Sequence, residues 1–187
     1  MKRFFAAVCI LALLAGLLGG CGYGAPSAEE GSEEDLSNLI VVGFSQVGAE
    51  SEWRVANTES MKAALNEENG YELIYDDARN EQENQIRAIR TFIQQDVDYI
   101  VFSPRVETGW TSILQEAQEA GIPVIVIDRD IEVEDRSLYT AYIGSDFQQE
   151  GKTAITWLEE YLTEQGRAQD PIRIVHIQGT IASSAQI

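Results

Sequence analysis

The sequence of 187 residues predicts an α/β protein with a doubly wound parallel sheet. Three apolar runs indicate buried parallel strands, because they are apolar on both faces and rich in Val and Ile. Segments with helical periodicity lie between them, so strands and helices alternate along the chain. The three runs are LIVVGF at 39–44, DYIVFS at 98–103 and PVIVID at 123–128.

Three more apolar runs are predicted to be strands, at 71–75 (YELIY), 139–144 (YTAYIG) and 172–179 (IRIVHIQG). Helices are predicted between the strands, because apolar residues recur there at helical spacing. The order is therefore βαβαβαβ, followed by a strand, a helix and a strand. The apolar faces comprise Trp53, Ala56, Met61, Ala64 and Leu65, then Ile86, Ile89 and Ile93, and then Ile113, Leu114 and Ala117.

Residues typical of helix ends agree with this order. Asn80, with Glu83 three residues later, predicts a capping box at the start of the second helix. Gly121, followed closely by a proline, predicts the end of the third helix. Asp146 is predicted to cap a fourth helix over residues 147–165.

The first 20 residues predict a lipoprotein signal peptide. Two basic residues precede an apolar run that is shorter than the roughly 20 residues needed to cross a bilayer core. Small residues then lead to Cys21, so we expect cleavage before Cys21 and a lipid on it; the alternative is an ordinary secretory peptide with an incidental cysteine. The other cysteine, Cys9, lies in the segment to be removed, so the mature chain would have no thiol left for chemistry.

Residues 21–38 are mostly small and acidic, which predicts a flexible linker between a lipid anchor and the globular part. The net charge of −18 argues against nucleic acid as a partner, because neutralising phosphates needs clustered Lys and Arg. The same charge argues against electrostatic adhesion to anionic lipid.

Sequence features of enzymes are missing from the chain. The loop after the first strand reads FSQVGAESEWR, which is not a Gly-rich phosphate loop, and there is no nucleophile elbow. The only histidine, His176, lies within an apolar run and is interpreted as structural rather than as a general base. We therefore expect no catalytic residue, no cofactor and no metal.

Candidate binding residues follow the predicted strands, where ligands bind in open parallel sheets. They combine an aromatic side chain with carboxylates and guanidinium groups. An indole can pack on the C–H face of a sugar ring, while charged groups fix its hydroxyls by hydrogen bonds. The candidates are Ser45, Gln46, Glu50, Trp53 and Arg54 after the first strand, Pro104 and Arg105 after the third, and Asp128, Arg129 and Asp130 after the fourth.

Each candidate also has a structural alternative. Trp53 could be the first core residue of its helix. Asp128 and Arg129 could form a structural ion pair at the end of a strand. Glu50 and Arg105 could be exposed loop charges.

At these residues the sequence resembles the sugar-binding proteins of ABC importers, which are type 1 periplasmic binding proteins related to ribose-binding protein. Within that family it is most similar to the galactofuranose-binding group. The stretches that carry the resemblance are VGFSQVGAESEWR (42–54), QENQIRAIRTFIQQDVDYI (82–100), SPRVETGW (103–110), IPVIVIDRDI (122–131), SLYTAYIGSDFQQEG (137–151) and QGTIASSAQI (178–187).

The resemblance implies a two-lobed fold, with the first lobe over residues 39–143 and the crossover and an incomplete second lobe over 144–187. Members of the family continue for more than a hundred residues, so we expect the chain to stop inside its second lobe. The resemblance also implies that the first lobe contacts the ligand through Glu50, Trp53, Arg54, Asp128 and Arg129.

The expected function is that of an exported binding protein, lipid-anchored to the outer face of the cytoplasmic membrane. It would capture a monosaccharide between two closing lobes and deliver it to the permease of an ABC transporter. One alternative is a sugar sensor that presents its bound form to a membrane receptor or histidine kinase. Another is an envelope enzyme that acts on sugars with Glu50 and Asp128.

Overall fold

The computed structural model describes residues 39–186 of the chain. As far as the fourth helix, strands and helices follow the predicted order, with short 3-10 turns at Glu67–Asn69 and Arg136–Leu138. The predictions of a signal peptide, a lipidated Cys21 and a linker lie outside the described residues. The elements are β1 (Ile40–Gln46), α1 (Glu52–Ala64), β2 (Tyr71–Asp77), α2 (Gln82–Gln94), β3 (Tyr99–Phe102), α3 (Thr111–Glu119), β4 (Val124–Asp128), β5 (Ala141–Gly144) and α4 (Phe147–Glu164).

The strands form one parallel sheet in the order β2-β1-β3-β4-β5. The chain runs from β1 outward to β2 and then crosses back to β3 on the other side of β1, so the strand order reverses between β1 and β3. Such a reversal opens a crevice at the carboxyl ends of the strands, because the connecting helices lie on opposite faces of the sheet. The predicted doubly wound α/β fold is confirmed.

Both faces of the sheet are covered by apolar side chains. On one face, α2 and α3 pack against the sheet through a large core that includes Ile89, Phe92 and Leu114. On the other face, Met61 of α1 packs against a smaller core that contains Val42 and Phe44. The apolar faces predicted for α2 and α3 therefore do face the core: Ile89, Ile113, Leu114 and Ala117 are buried, and Ile86 and Ile93 are partly buried against it.

Two of the three predicted helix ends are confirmed. Asp146 Oδ1 accepts a hydrogen bond of 2.9 Å from the Gln149 amide at the start of α4. Gly121 has φ +76° just after α3. The capping box at Asn80 is wrong, because Asn80 has φ +60° and its amide donates to the Val47 carbonyl at 2.7 Å. α2 begins two residues later without a side-chain cap.

The strand predicted at 172–179 is also wrong, because these residues are irregular in the structure. A strand needs a hydrogen-bonded neighbour, and residues 172–179 pair with no strand of the described chain. Its apolar side chains are left in water, with Ile177 90% exposed. The preceding helix α4 likewise has no buried residue. Within residues 39–186, no helix has the length and apolar character needed to cross a membrane.

Candidate functional site

A buried arginine stands at the carboxyl edge of the sheet, where β1, β3 and β4 end. Arg54 belongs to the first turn of α1, and its side chain turns inward so that the residue is only 4% exposed. Ser51 caps this helix by accepting the Arg54 amide at 3.3 Å, which places Arg54 above the end of β1. Arg54, a candidate binding residue after the first strand, is thus the centre of a polar network.

The guanidinium group of Arg54 contacts four side-chain acceptors. Nε donates to Glu50 Oε1 at 2.9 Å, and Nη2 lies 3.2 Å from Asp128 Oδ2. Nη1 donates to Gln46 Oε1 at 3.1 Å and to Ser103 Oγ at 3.2 Å. A buried cation needs paired charges and satisfied donors, and this arrangement supplies two carboxylates and two neutral acceptors.

Gln46 explains why the inner face of α1 is polar. Its Nε2 donates to Asn57 Oδ1 at 2.8 Å and to Thr58 Oγ1 at 3.3 Å, and its Oε1 also accepts the Val47 amide at 3.0 Å. The buried residues of α1 are therefore Arg54 and Thr58 rather than the predicted apolar set.

Asp128 lies at the end of β4 in an unusual backbone conformation. Its φ is +65°, and the Arg129 amide donates to the Ile127 carbonyl at 2.8 Å, which makes a tight γ-turn. Residues in such sparsely populated regions cluster at functional sites. Its Oδ2 accepts the Ser103 hydroxyl at 3.1 Å in addition to Arg54, whereas its Oδ1 has no hydrogen-bond partner among residues 39–186.

Arg129 lies beside this network, and its side chain is 15% exposed. Nη1 donates to the Arg105 carbonyl at 3.2 Å, Nη2 to Thr180 Oγ1 at 3.5 Å, and Nε stands 3.9 Å from Asp128 Oδ2. Burial and the positive charge of Arg54 lower the pKa of Arg129, and the carboxylate of Asp128 opposes this change. The ion pair between Asp128 and Arg129 at the end of the strand is present at 3.9 Å, and Asp128 makes a shorter one of 3.2 Å with Arg54.

Trp53 stands at the rim of the network. It is 56% exposed, and its ring centroid lies 5.8 Å from Arg54 Cζ. An arginine at this distance stabilises the orientation of an indole. The alternative that Trp53 is a core residue of its helix is therefore wrong, and the structure leaves an aromatic surface open beside buried charges.

The structure brings together all five predicted contact residues, Glu50, Trp53, Arg54, Asp128 and Arg129. Sequence reasoning missed Ser103, which bridges Arg54 and Asp128, and Gln85, whose amide bonds to the backbone around Ser103. A signal for Gln85 existed, because it is a polar residue at a core-facing position of α2, four residues before the buried Ile89. Arg105 is half-buried rather than an exposed loop charge.

The chemistry of the network suits a neutral, hydroxyl-rich ligand. Two guanidinium groups lie beside two carboxylates. A bound anion or cation would therefore find a like charge about as near as an opposite charge. Exposed acceptors and donors remain beside an aromatic surface. Among residues 39–186 there is no group of three or more His, Cys, Asp or Glu side chains that could hold a metal ion.

Comparison with protein families identifies this architecture. The model of the periplasmic binding protein domain matches residues 42–187. The chain belongs to the periplasmic binding protein family. Members of this family are binding proteins rather than enzymes, which confirms the prediction that the chain is not an enzyme.

Relatives of this periplasmic binding protein include sugar-binding proteins. The galactofuranose-binding protein YtfQ of Escherichia coli (strain K12) is 43% identical over 152 residues, which are 81% of this chain and 46% of that protein. The fructose import binding protein FruE of Bifidobacterium longum (strain NCC 2705) is 34% identical over 77% of this chain and 44% of its own length. The chain thus spans about half the length of the curated relatives it matches.

Solved structures of two relatives contain furanose sugars. A protein of Mycobacterium smegmatis in complex with β-D-fucofuranose is 49% identical with a TM-score of 0.72, covering 79% of this chain and 47% of that one. The binding protein of the arabinose ABC transporter from Shewanella sp. ANA-3, bound to α- and β-L-arabinofuranose, is 46% identical with a TM-score of 0.68, covering 78% and 46%. These likenesses confirm the predicted family and its resemblance to the galactofuranose-binding group.

Proposed function

We propose that the chain provides the first lobe of a solute-binding protein of an ABC importer and that this lobe binds a monosaccharide at the carboxyl ends of β1, β3 and β4. The observation that carries the proposal is the network centred on Arg54 and Asp128, capped at its rim by the exposed indole of Trp53. Glu50, Trp53, Arg54, Asp128 and Arg129 are the proposed contact residues.

The proposed contacts divide the work between stacking and hydrogen bonding. The ring of Trp53 would pack on the C–H face of the sugar, a contact that apolar surface and the ring quadrupole both favour. Asp128 Oδ1, which is free within the described chain, would accept a sugar hydroxyl in a charge-assisted hydrogen bond. Because Arg54 holds Asp128 by its other oxygen, this acceptor is already oriented before the sugar arrives.

We propose a furanose ring as the preferred ligand. The support comes from relatives, since similar proteins include a galactofuranose-binding protein, a protein in complex with β-D-fucofuranose and a protein bound to L-arabinofuranose. A furanose and a pyranose of the same sugar present their hydroxyls in different directions, so an oriented acceptor such as Asp128 can discriminate between them.

Import, rather than catalysis, is the proposed role. A similar protein is named an import binding protein and another a component of an ABC transporter. The chain matches a family of binding proteins, which argues against the envelope enzyme that would act with Glu50 and Asp128. We further propose export, a lipid on Cys21 that anchors the protein to the outer face of the cytoplasmic membrane, and delivery of the sugar to a permease.

The proposal is tested by NMR titration of the isotope-labelled chain with methyl furanosides, in which the ring form is locked, and with the corresponding methyl pyranosides. Because the described residues offer contacts from one side of a ligand, we expect weak but saturable binding of a furanoside, with shifts at the Trp53 indole and the Arg129 side chain. Equal or larger shifts with the pyranosides would refute the furanose preference. No saturable shift at Trp53, Asp128 or Arg129 with any sugar would refute the binding site.

A further inference from the structure

A buried amide on α2 bonds to the backbone next to the candidate site. Gln85 is 0% exposed and stands on α2 next to the apolar core residues Ala88 and Ile89. Its Nε2 donates to the Ser103 carbonyl at 2.7 Å, and its Oε1 accepts the Arg105 amide at 3.0 Å. Loss of these two bonds would leave buried polar groups without partners and would strongly destabilise the fold. The two bonds therefore hold the 103–105 backbone in one position.

The backbone segment 103–105 in turn carries the partners of three proposed contact residues. Ser103 Oγ accepts from Arg54 Nη1 and donates to Asp128 Oδ2, so it sets the spacing between these two side chains. The Arg105 carbonyl accepts from Arg129 Nη1. A displacement of segment 103–105 would therefore move Arg54, Asp128 and Arg129 together.

We infer that Gln85 is a positioning residue for the sugar site, acting through Ser103 although it touches no ligand. The inference rests on the proposed function, because it assigns to Gln85 the orientation of side chains that the sugar would contact. Buried polar networks of this kind are strong when fully satisfied and fail as a unit when one member is removed.

Gln82 supplies a matched control on the same helix. Its Nε2 also donates to a backbone carbonyl of the loop after β3, that of Thr108, at the same distance of 2.7 Å. Thr108 lies outside segment 103–105 and holds none of the proposed contact residues. We therefore compare Gln85→Met with Gln82→Met. In both variants, methionine has a length similar to that of glutamine but cannot make the hydrogen bonds of the amide.

Two quantities are measured for each variant under conditions in which it is fully folded. They are the affinity for the methyl furanoside and the exchange rate of the Arg54 guanidinium protons with water. We expect Gln85→Met to weaken binding of the preferred methyl furanoside by about tenfold, the scale of one hydrogen bond lost between the displaced side chains and the sugar, and Gln82→Met to change it less than about twofold. We expect exchange of the Arg54 guanidinium protons with water to accelerate in Gln85→Met alone. A purely structural role would lower the melting temperature without changing either readout.

A second pair of variants decides the inference if Gln85→Met does not fold. Ser103→Ala removes the hydroxyl between Arg54 and Asp128, whereas Thr163→Ala removes a hydroxyl that bonds to the Glu159 carbonyl of α4 and to none of the proposed contact residues. We expect Ser103→Ala to weaken furanoside binding and to accelerate Arg54 exchange, and Thr163→Ala to do neither.

The inference is overturned if Gln85→Met, or Ser103→Ala where the first does not fold, retains wild-type affinity and wild-type exchange at Arg54. If the wild-type chain binds no sugar, the proposed function fails, and exchange at Arg54 alone then decides the positioning role. Accelerated exchange in Gln85→Met but not in Gln82→Met would support that role, and unchanged exchange would refute it.

Discussion

Two tryptophans of the described chain are more than half exposed, and they differ in their surroundings. Trp53 is 56% exposed beside the buried charges of Arg54, whereas Trp157 is 63% exposed on α4 and stacks on Tyr161. Replacing Trp53 by Ala should weaken sugar binding by more than roughly 1.5 kcal/mol, the scale of a lost stacking face. Titration of a locked furanoside against both single variants, Trp53→Ala and Trp157→Ala, measures this effect.

Trp157→Ala serves as the control and should leave the affinity unchanged. The melting temperature of Trp53→Ala should change little, because its side chain is mostly in water. An unaffected affinity together with a collapsed melting temperature would show that Trp53 is structural after all.

Cys21 carries the proposal of membrane anchoring. The apolar run and the small residues before it match the lipoprotein pattern, so metabolic labelling with a palmitate analogue should mark the wild-type protein in cells. Cys21→Ser should abolish the label while Cys9→Ser, which changes the segment to be removed, should keep it. Equal labelling of Cys21→Ser and wild type would contradict the anchor.

At the residue scale, sequence alone locates charges but not their partners. Asp128 and Arg129 could be named because they directly follow an apolar strand. The pairing of Arg54 with Asp128 could not, because it depends on the parallel register of β1, β3 and β4, which no local pattern encodes. Ser103 was missed for the same reason, since a serine after a strand has no distinctive chemistry until its neighbours are known.

At the element scale, the buried strands could be predicted from the sequence, whereas the inner face of α1 and the structure of residues 172–179 could not. β1, β3 and β4 are apolar on both faces because helices cover both sides of the sheet. The inner face of α1 contradicts its apolar pattern, because it packs on the polar end of β1 through Gln46. Residues 172–179 have strand-like composition, but composition cannot replace a pairing partner.

The contact between β1 and α2 depends on one glycine. A Cβ atom at Gly43 would lie 2.5 Å from Cγ of Phe92, whose ring fills the core over β1. Gly43→Ala should therefore lower the free energy of unfolding by roughly 1–3 kcal/mol, the usual effect of overpacking. Denaturant unfolding of the purified chain measures this change.

Gly151 on α4 is the matched control, because a Cβ atom there would meet no atom within 4 Å. Gly151→Ala should cause no destabilisation, since alanine also favours the helix. If Gly43→Ala were as stable as wild type, the close packing of Phe92 on β1 would be contradicted.

At the scale of the whole molecule, the described chain presents two different surfaces. The five strands and the helices α1–α3 enclose an apolar core. In contrast, α4 and the segment after it expose Trp157, Ile174, Val175 and Ile177. Contiguous exposed apolar surface promotes association. We therefore expect this chain to dimerise or aggregate in a concentration-dependent way.

Analytical ultracentrifugation of Ile177→Glu tests that expectation, because Ile177 is 90% exposed and a charge there should disfavour apolar contacts. Gln178→Glu adds the same charge at the neighbouring exposed position without removing an apolar side chain. Association should fall in Ile177→Glu and persist in Gln178→Glu. A monomeric wild-type chain at all concentrations would contradict the expectation.

We propose that the carboxyl ends of β1, β3 and β4 form a sugar-binding surface. A crystal structure of the chain soaked with a locked furanoside tests this proposal. We expect the sugar ring to stack on Trp53, with a hydroxyl within hydrogen-bonding distance of Asp128 Oδ1. A second groove lies between β2 and α2 and is lined by Asp76, Arg79 and Arg87. A sugar bound there, with the indole of Trp53 and the carboxylate of Asp128 left in solvent, would contradict the proposal.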